Sequence, residues 1–198
     1  MYGFFKLYCI WKIRHNFHEV YIKGDFRDKN LPVLLVSNHV SWWDGFWAMY
    51  LNLKFLKRRF YFMMLENQLR NFMFFNKTGG YSIKKGSKSI IETLNYTIRL
   101  LSDNKNMVLL FPQGRIQSIY NSTFRFEKGL EYLLNKITRK VHLIFLVCLI
   151  DYFSHSRPCL FLYFKEYLEN DCSSPNIEKE YNMFYAQCIA ENSAITTL

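Results

Sequence analysis

The chain has 198 residues, a formal net charge of +10 and an apolar fraction of 50%. This length accommodates one domain with a sizeable core, and the apolar fraction excludes a disordered or low-complexity protein. Lys and Arg outnumber Asp and Glu by 26 to 16, which indicates an anionic partner such as nucleic acid, anionic lipid or a phosphorylated small molecule. No apolar run approaches the length needed to span a bilayer.

The five cysteines indicate the redox state of the chain. They show no CxxC spacing, and an odd number leaves one without a partner in any set of disulfides. We therefore expect reduced thiols in a cytosolic compartment, with neither a disulfide framework nor a metal site. These cysteines are Cys9, Cys148, Cys159, Cys172 and Cys188.

The first 15 residues are rich in Phe, Tyr, Trp and Ile and are interrupted by Lys6 and Lys12. The segment is too short to span a membrane and lacks the cleavage pattern of a signal peptide. Aromatic side chains and lysines suit a membrane interface, whereas a helix packed on the domain explains the same composition equally well. We expect a short N-terminal membrane-interface helix at 1–15, followed by one domain at 16–198.

Further along the chain, stretches typical of strands alternate with stretches typical of helices. This order predicts a single α/β domain with a mixed, largely parallel sheet flanked by helices. Strands are predicted at 20–22, 33–36, 60–64, 107–111, 142–150 and 159–164, and the Gly-bounded segment 79–86 is expected to be extended in its middle. Helices are predicted at 42–53, 66–75, 87–101 and 177–191, with another starting near residue 127.

A histidine and an aspartate follow the apolar strand 33–36 with a spacing of five positions, at His39 and Asp44. A histidine can accept a proton near neutral pH, and a carboxylate can hold its tautomer and stabilise the imidazolium. On a continuous helix the two side chains would point about 140° apart, so they meet only if the chain turns between them. We therefore place His39 in a loop and Asp44 in the first helical turn. The pattern Ser41-x-x-Asp44 is also that of a capping box, which by itself would explain the aspartate.

A second loop follows the apolar strand 107–111 and contains Gly114 and Arg115. Glycine lets a backbone approach a ligand closely. Ligands of α/β sheets bind beyond the carboxyl ends of the strands, and both loops follow a buried strand. His39, Asp44, Gly114 and Arg115 are therefore expected to converge at one edge of the sheet.

With these motifs the sequence resembles the glycerolipid acyltransferases of the lysophosphatidic acid acyltransferase-like superfamily. The resemblance covers residues 38 to about 150, and its parts occur in the family's order. The strand 142–150 takes the place of the fourth block. The other parts are Asn38-His39-x4-Asp44, the run Gly79-Gly80-Tyr81-Ser82-Ile83-Lys84-Lys85-Gly86, Phe111-Pro112-Gln113-Gly114 and the helix start Phe126-Glu127-Lys128-Gly129.

Three positions depart from the family pattern. Lys85 stands where the second block usually ends in arginine, which keeps the charge but loses bidentate phosphate geometry. Gln113 replaces the usual glutamate of the third block, and Arg115 lies one place earlier than the family's arginine. The fourth block carries no proline.

The resemblance implies O-acyl transfer from an acyl thioester to the hydroxyl of a lysophospholipid-like or other lipid acceptor. His39 would be the general base and Asp44 would orient it, with oxyanion donors expected near Gly114 or Gly80. Trp42, Trp43 and Trp47 are candidates for an acyl path, although core packing is expected for one or two of them. The residues expected to bind substrate are Asn38, Gly80, Ser82, Lys84, Lys85, Pro112, Gln113, Gly114 and Arg115.

The implied co-substrate is acyl-CoA or acyl carrier protein, with no other cofactor. The implied partners are a lipid acceptor and an anionic membrane surface, at the cytoplasmic face of a membrane, with peripheral or monotopic attachment. No nucleic-acid-binding motif accompanies the basic charge. The substitutions at Gln113 and Lys85 leave one alternative open, a basic peripheral membrane module without activity. Condensation enzymes that use coenzyme A also carry His near Asp-Gly, but with three intervening residues instead of four.

Overall fold

The computed structural model describes residues 2–84, 89–168 and 173–196, which form a seven-stranded sheet with helices on both faces. The strand order is β1-β7-β6-β2-β5-β3-β4. The strands are β1 (Val20–Lys23), β2 (Val33–Ser37), β3 (Arg59–Leu65), β4 (Gly80–Ile83), β5 (Asn106–Leu110), β6 (His142–Asp151) and β7 (Cys159–Glu166). The helices are α1 (Tyr2–Asn16), α2 (Asp44–Leu51), α3 (Glu66–Asn71), α4 (Ser89–Leu100), α5 (Lys128–Lys136) and α6 (Ser174–Ser193).

Five neighbouring strands, from β6 through β2, β5 and β3 to β4, run parallel. Strand β7 pairs antiparallel with β6, and β1 pairs parallel with β7. The central strands β2 and β5 are buried at every position, which explains why they lack the polar alternation of a sheet exposed on one face. The parallel pairing of β2 with β5 brings the loops that follow them to the same edge.

Each face of the sheet has its own apolar core. Helices α1 and α2 cover one face and contribute Phe5, Phe46 and Met49 to its core. Helices α4, α5 and α6 cover the other face, with Leu94 and Leu133 among the buried side chains. The functional edge therefore lies between two packed layers.

The predicted fold class is confirmed, including the largely parallel sheet, while two of the predicted helices change geometry along their length. The predicted helix 66–75 divides at Phe72, whose φ of −126° and ψ of 58° are not helical, and a 3₁₀ helix spans Met73–Thr78. Helix α2 continues as a π-helical turn at Asn52–Leu56 and ends at Lys57, where φ is +53°. The predicted start of the helix at Ser87 lies outside the described residues.

Helix α1 has one face on the core and one face in solvent. Phe5, Cys9 and Ile13 are buried at the i, i+4, i+8 spacing of one helical face. An outward stripe remains exposed, consisting of Phe4, Leu7 and Trp11. Packing on the domain therefore occupies only part of the apolar surface of α1. Among the described residues, no helix combines the length and the apolar character needed to cross a bilayer.

Candidate active site at the carboxyl edge of the sheet

His39 and Asp44 form a hydrogen-bonded pair at the end of β2. The chain turns between them as expected, and His39 Nδ1 lies 2.8 Å from Asp44 Oδ2. The same oxygen accepts the backbone N–H groups of Val40 at 2.7 Å and Ser41 at 2.9 Å. Because a carboxylate only accepts hydrogen bonds, the Nδ1 of a neutral His39 carries the proton and Nε2 keeps its lone pair. This tautomer can take a proton from a substrate.

The Asp44 carboxyl is fully enclosed, with no exposed side-chain surface. Burial raises the pKa of this carboxyl above its ordinary value, and the hydrogen bonds from His39, Ser41 and Val40 oppose that shift. The second oxygen, Oδ1, is buried without a hydrogen-bond partner among the described residues. All of the hydrogen bonding therefore falls on the oxygen that faces the imidazole.

The imidazole ring of His39 is also held through its face. It stacks on Phe111, the first residue after β5, with ring centroids 4.0 Å apart and an interplanar angle of 10°. The His39 side chain is 22% exposed to solvent. Asp44 and Phe111 thus fix the ring while one edge stays open.

The backbone of His39 is tied to the loop after β5. Its N–H donates to Gln113 Oε1 at 2.7 Å, and its carbonyl accepts the N–H of Gln117 at 2.8 Å. Gln113 Nε2 donates to Gln117 Oε1 at 3.0 Å. Gln113 is buried and bonded to protein groups, and it does not line the cavity described below. Gln113 was expected to bind substrate, but in the structure its side chain bonds to the backbone of the candidate base.

Asn38, another residue expected to bind substrate, is fully buried. Its Nδ2 donates to the carbonyl of Cys148 at 3.0 Å, and its Oδ1 accepts the Cys148 N–H at 2.9 Å. The side chain therefore continues the β2–β6 ladder for one residue beyond the strand. Its place in the structure is that of an anchor for the His39 loop.

The loop after β5 turns at Gly114, where φ is +64°. Residues with a side chain adopt this backbone conformation less readily, so the turn favours glycine. The Gly114 N–H donates to the Phe111 carbonyl at 3.1 Å, and the Pro112 carbonyl accepts the N–H of Glu127 at 2.8 Å. Oxyanion donors were expected near Gly114 or Gly80, and the N–H of Gly114 itself is engaged within its own turn.

A cavity of about 970 Å³ opens beside His39 at this edge. Its lining includes Pro112, Gly114 and Arg115 from the predicted site. One wall is apolar and comes from the α1–α2 side of the sheet, with Phe5, Trp42, Phe46, Phe60, Phe62 and Phe75. The opposite wall adds charged groups at the start of α5, with Glu127, Lys128 and Glu131.

The residues of the second block lie on the edge strand β4. Gly80 and Ser82 are part of this strand, Lys84 is exposed just after it, and none of the three lines the cavity beside His39. Ser82 instead faces a small surface depression with Glu66 and other residues of α3. Lys85 lies outside the described residues.

Part of the site is not predicted by the sequence, and the structure separates two of the tryptophans that are candidates for an acyl path. Trp42 lines the cavity, whereas Trp47 is buried in the core against Phe17. The stacking of Phe111 on His39 and the contact of Gln117 depend on the approach of two loops far apart in sequence. The motif Phe126-Glu127-Lys128-Gly129 predicts the helix start that follows the third block, and the structure adds that its last three residues line the cavity.

Neither the cysteines nor a cluster of possible metal ligands forms a further centre among the described residues. Cys9, Cys148, Cys159 and Cys188 are free and buried, and Cys172 lies outside the described residues. Among the described residues, no group of three or more His, Cys, Asp and Glu side chains is arranged to hold a metal ion.

Comparison with known sequences gives one match. A family model described as Acyltransferase matches residues 16–148, which include β2, β5, most of β6 and both loops of the site. No curated protein sequence matches the chain.

Proposed function

The chain belongs to the acyltransferase family, within the lysophosphatidic acid acyltransferase-like superfamily, and from this premise we propose that it is an O-acyltransferase acting on a lipid hydroxyl. The donor is an acyl thioester on coenzyme A or acyl carrier protein, and the acceptor is a lysophospholipid or a similar lipid. The observation that carries the proposal is the His39–Asp44 pair, 2.8 Å apart, with its imidazole on a largely apolar cavity.

In the proposed reaction His39 Nε2 takes the proton of the acceptor hydroxyl as its oxygen attacks the thioester carbonyl carbon. The new C–O bond gives a tetrahedral oxyanion, and collapse of this oxyanion breaks the C–S bond. The imidazolium then returns its proton to the leaving thiolate. Asp44 stabilises the imidazolium through the bond to Nδ1, and general-base catalysis of this kind is worth about 10²–10⁴-fold. No covalent acyl-enzyme is required.

The apolar wall of the cavity supports an acyl chain as ligand. Phe46, Phe60, Phe62 and Phe75 surround its deeper part and belong to the core cluster beneath α1 and α2. Apolar lining with a few placed polar groups is typical of small-molecule sites. The thioester carbonyl would then lie at the mouth of this wall, next to His39.

The charged wall supports a polar headgroup. Arg115 and Lys128 offer cationic donors to a phosphate, while Glu127 and Glu131 on the same wall can accept hydrogen bonds from hydroxyl or ammonium groups. The balance of charges suits a phosphate headgroup that also carries donors. We assign this wall to the acceptor.

We further propose that the enzyme works on the cytoplasmic face of an anionic membrane, with peripheral contact through a surface next to the cavity. Helix α1 also lies beside a second exposed apolar segment, Phe72, Met73 and Phe74, since its buried Phe5 has its ring centroid 6.4 Å from that of Phe74. The ring centroid of Trp42, which lines the cavity, lies 5.5 Å from that of Phe72. Met73 in this segment is 69% exposed. Exposed apolar patches of this kind mark interaction sites, and aromatic residues suit the headgroup level of a bilayer.

Membrane contact is tested by co-sedimentation with vesicles of phosphatidylcholine and phosphatidylglycerol. The variants Leu7→Glu and Met73→Glu should each weaken binding. Met183→Glu is the matched control, because Met183 is 56% exposed on α6, which covers the other face of the sheet. Equal binding by all three variants and wild type would remove this surface from the proposal.

Activity is tested by thiol release and by mass spectrometry of the acylated product, with acyl-CoA and acyl carrier protein donors offered separately to a panel of lysolipids. Wild type should transfer the acyl group, and His39→Ala should lose the transfer. His18→Ala is the control, because His18 is exposed, stacks on His155 and does not line the cavity. If wild type and His39→Ala release thiol equally slowly with every acceptor, the chain is an inactive membrane-binding module.

A further inference from the structure

The strongest feature that the proposed reaction leaves unexplained is a closed ring of hydrogen bonds around the backbone of His39. It runs from the His39 N–H to Gln113 Oε1, from Gln113 Nε2 to Gln117 Oε1, and from the Gln117 N–H back to the His39 carbonyl, at 2.7, 3.0 and 2.8 Å. Gln113 is only 3% exposed, so its bonds do not compete freely with water. Both backbone polar groups of His39 are therefore satisfied by the loop after β5.

The direction of each bond in the ring follows from chemistry. The His39 N–H can only donate, so the Gln113 atom facing it must be the amide oxygen. The amide nitrogen of Gln113 then points the other way and donates, so the Gln117 atom facing it must also be an oxygen. The ring needs one side chain that accepts and donates at the same time. A glutamine at 113 meets this need, whereas an ionised glutamate closes the ring only if the Gln117 amide turns to donate its N–H.

We propose that Gln113 and Gln117 are a matched pair of positioning residues that hold the His39 loop by its backbone and so aim Nε2 at the cavity. The proposal rests on the function proposed above. Asp44 and Phe111 hold the ring of His39, whereas the glutamine pair holds the segment from which the ring projects. It also gives the departure from the family pattern at residue 113 a role, because Gln117 supplies the acceptor that this amide requires.

Gln→Glu substitutions distinguish a hydrogen-bonded role of Gln113 and Gln117 from a role in packing alone. In Gln113→Glu the carboxylate still accepts the His39 N–H, and the Gln117 amide can turn to donate its Nε2–H. In Gln117→Glu the carboxylate accepts from the Gln113 amide. In the double variant two carboxylates face each other, and neither donates when both are ionised.

We expect each single Glu variant to retain most of the wild-type kcat. The kcat of the double variant should fall at least about tenfold below the product of the two single effects at pH 8, since the residues share one network. Gln113→Glu should also move the acid limb of the pH–rate profile to higher pH, because an added negative charge favours the imidazolium. Gln113→Leu should lower kcat by about 10²-fold with both KM values nearly unchanged, as for a misplaced catalytic group.

Hydrogen exchange of the His39 amide provides a readout that does not depend on activity. This amide should exchange faster in Gln113→Leu and in the double variant than in wild type and the single Glu variants. Gln187, which is exposed on α6, supplies the control substitutions Gln187→Glu and Gln187→Leu. Additive kinetic effects together with unchanged His39 exchange would overturn the pairing. An inactive wild type with the expected exchange pattern would overturn only the proposed acyl transfer.

Discussion

Asp44→Asn separates a catalytic carboxylate from a helix cap, because the variant keeps the shape of the side chain and removes its charge. Two backbone N–H groups, from Val40 and Ser41, demand an acceptor at the position of Asp44 Oδ2. The Asn oxygen therefore takes that position, and His39 Nδ1–H can still donate to it. The Asn nitrogen falls where Oδ1 lies, a buried site without a partner among the described residues.

The effect on stability should be small. Burial raises the pKa of the Asp44 carboxyl, so the folded state binds a proton at Asp44 more readily than the unfolded chain does. Ionised Asp44 therefore lowers stability, and this loss grows as pH rises from the unfolded pKa of about 3.9 toward the raised folded pKa. Asn carries no such dependence. Removing the destabilising buried charge offsets part of the penalty of about 1–3 kcal/mol that the buried, unpaired Asn amide adds to the folded state.

The effect on turnover should be much larger. Asn leaves the imidazolium that forms during reaction without its counter-charge, and general-base catalysis contributes about 10²–10⁴-fold. We expect kcat to fall by about 10²-fold or more, equivalent to about 3 kcal/mol in activation free energy.

The assay compares kcat from product formation with the free energy of unfolding from urea titrations at several pH values. The stability of Asp44→Asn relative to wild type should improve as pH rises above about 4. A melting temperature lowered by many degrees, with kcat nearly retained, would show that Asp44 is only a cap and would refute the catalytic assignment.

Three further expectations concern the headgroup wall, a buried histidine and a glycine turn. Arg115→Ala should raise the acceptor KM more than the thioester KM, and unchanged acceptor kinetics would remove Arg115 from the headgroup site. Burial lowers the pKa of His142, with Lys29 acting in the same direction and Glu166 against it. The contribution of His142 to stability is therefore present above its unfolded pKa of about 6.5 and is lost as pH falls from there through the lowered folded pKa. His142→Gln should accordingly lose less stability than wild type between pH 7.5 and 5.5 in urea titrations, and equal losses would contradict this sign. Gly79→Ala should cost at least about 2 kcal/mol, because φ is +103° and a Cβ would lie 2.0 Å from the Phe60 carbonyl oxygen. Gly3→Ala is its control, since a Cβ there meets nothing within 4 Å, and equal unfolding free energies for the two variants would refute the strain.

The pattern of apolar runs was sufficient for the architecture because burial on both faces leaves a direct trace in sequence. Strands β2 and β5 are apolar at consecutive positions since each face packs against a helical layer. The parallel order then implied that the loops after these strands share an edge, and the bond from His39 to Gln113 shows that they do. The antiparallel partner β7 was not specified in advance, because a strand's apolar content does not state the direction of its pairing.

The sequence did not predict which candidate residues line the cavity, because this depends on how helices and strands are placed in the folded chain. Trp42 and Trp47 are equal candidates in the sequence, but Trp42 lies in the turn before α2 and lines the cavity, whereas Trp47 lies on α2 and is buried in the core. Gly80 and Ser82 lie on the edge strand β4, three positions from β2 in the sheet order, and Lys84 follows that strand. Periodicity gives no information about such distances.

By itself the sequence determined the α/β class, the approximate strands and the turn that brings His39 to Asp44, because these follow from local burial, spacing and chain direction. Tertiary structure alone decided that Gln113 bonds to the His39 backbone, that Phe111 stacks on its ring and that the start of α5 forms a cavity wall. These contacts join residues far apart in the chain. They arise from the packing of whole layers, and no short stretch of sequence encodes where two layers meet.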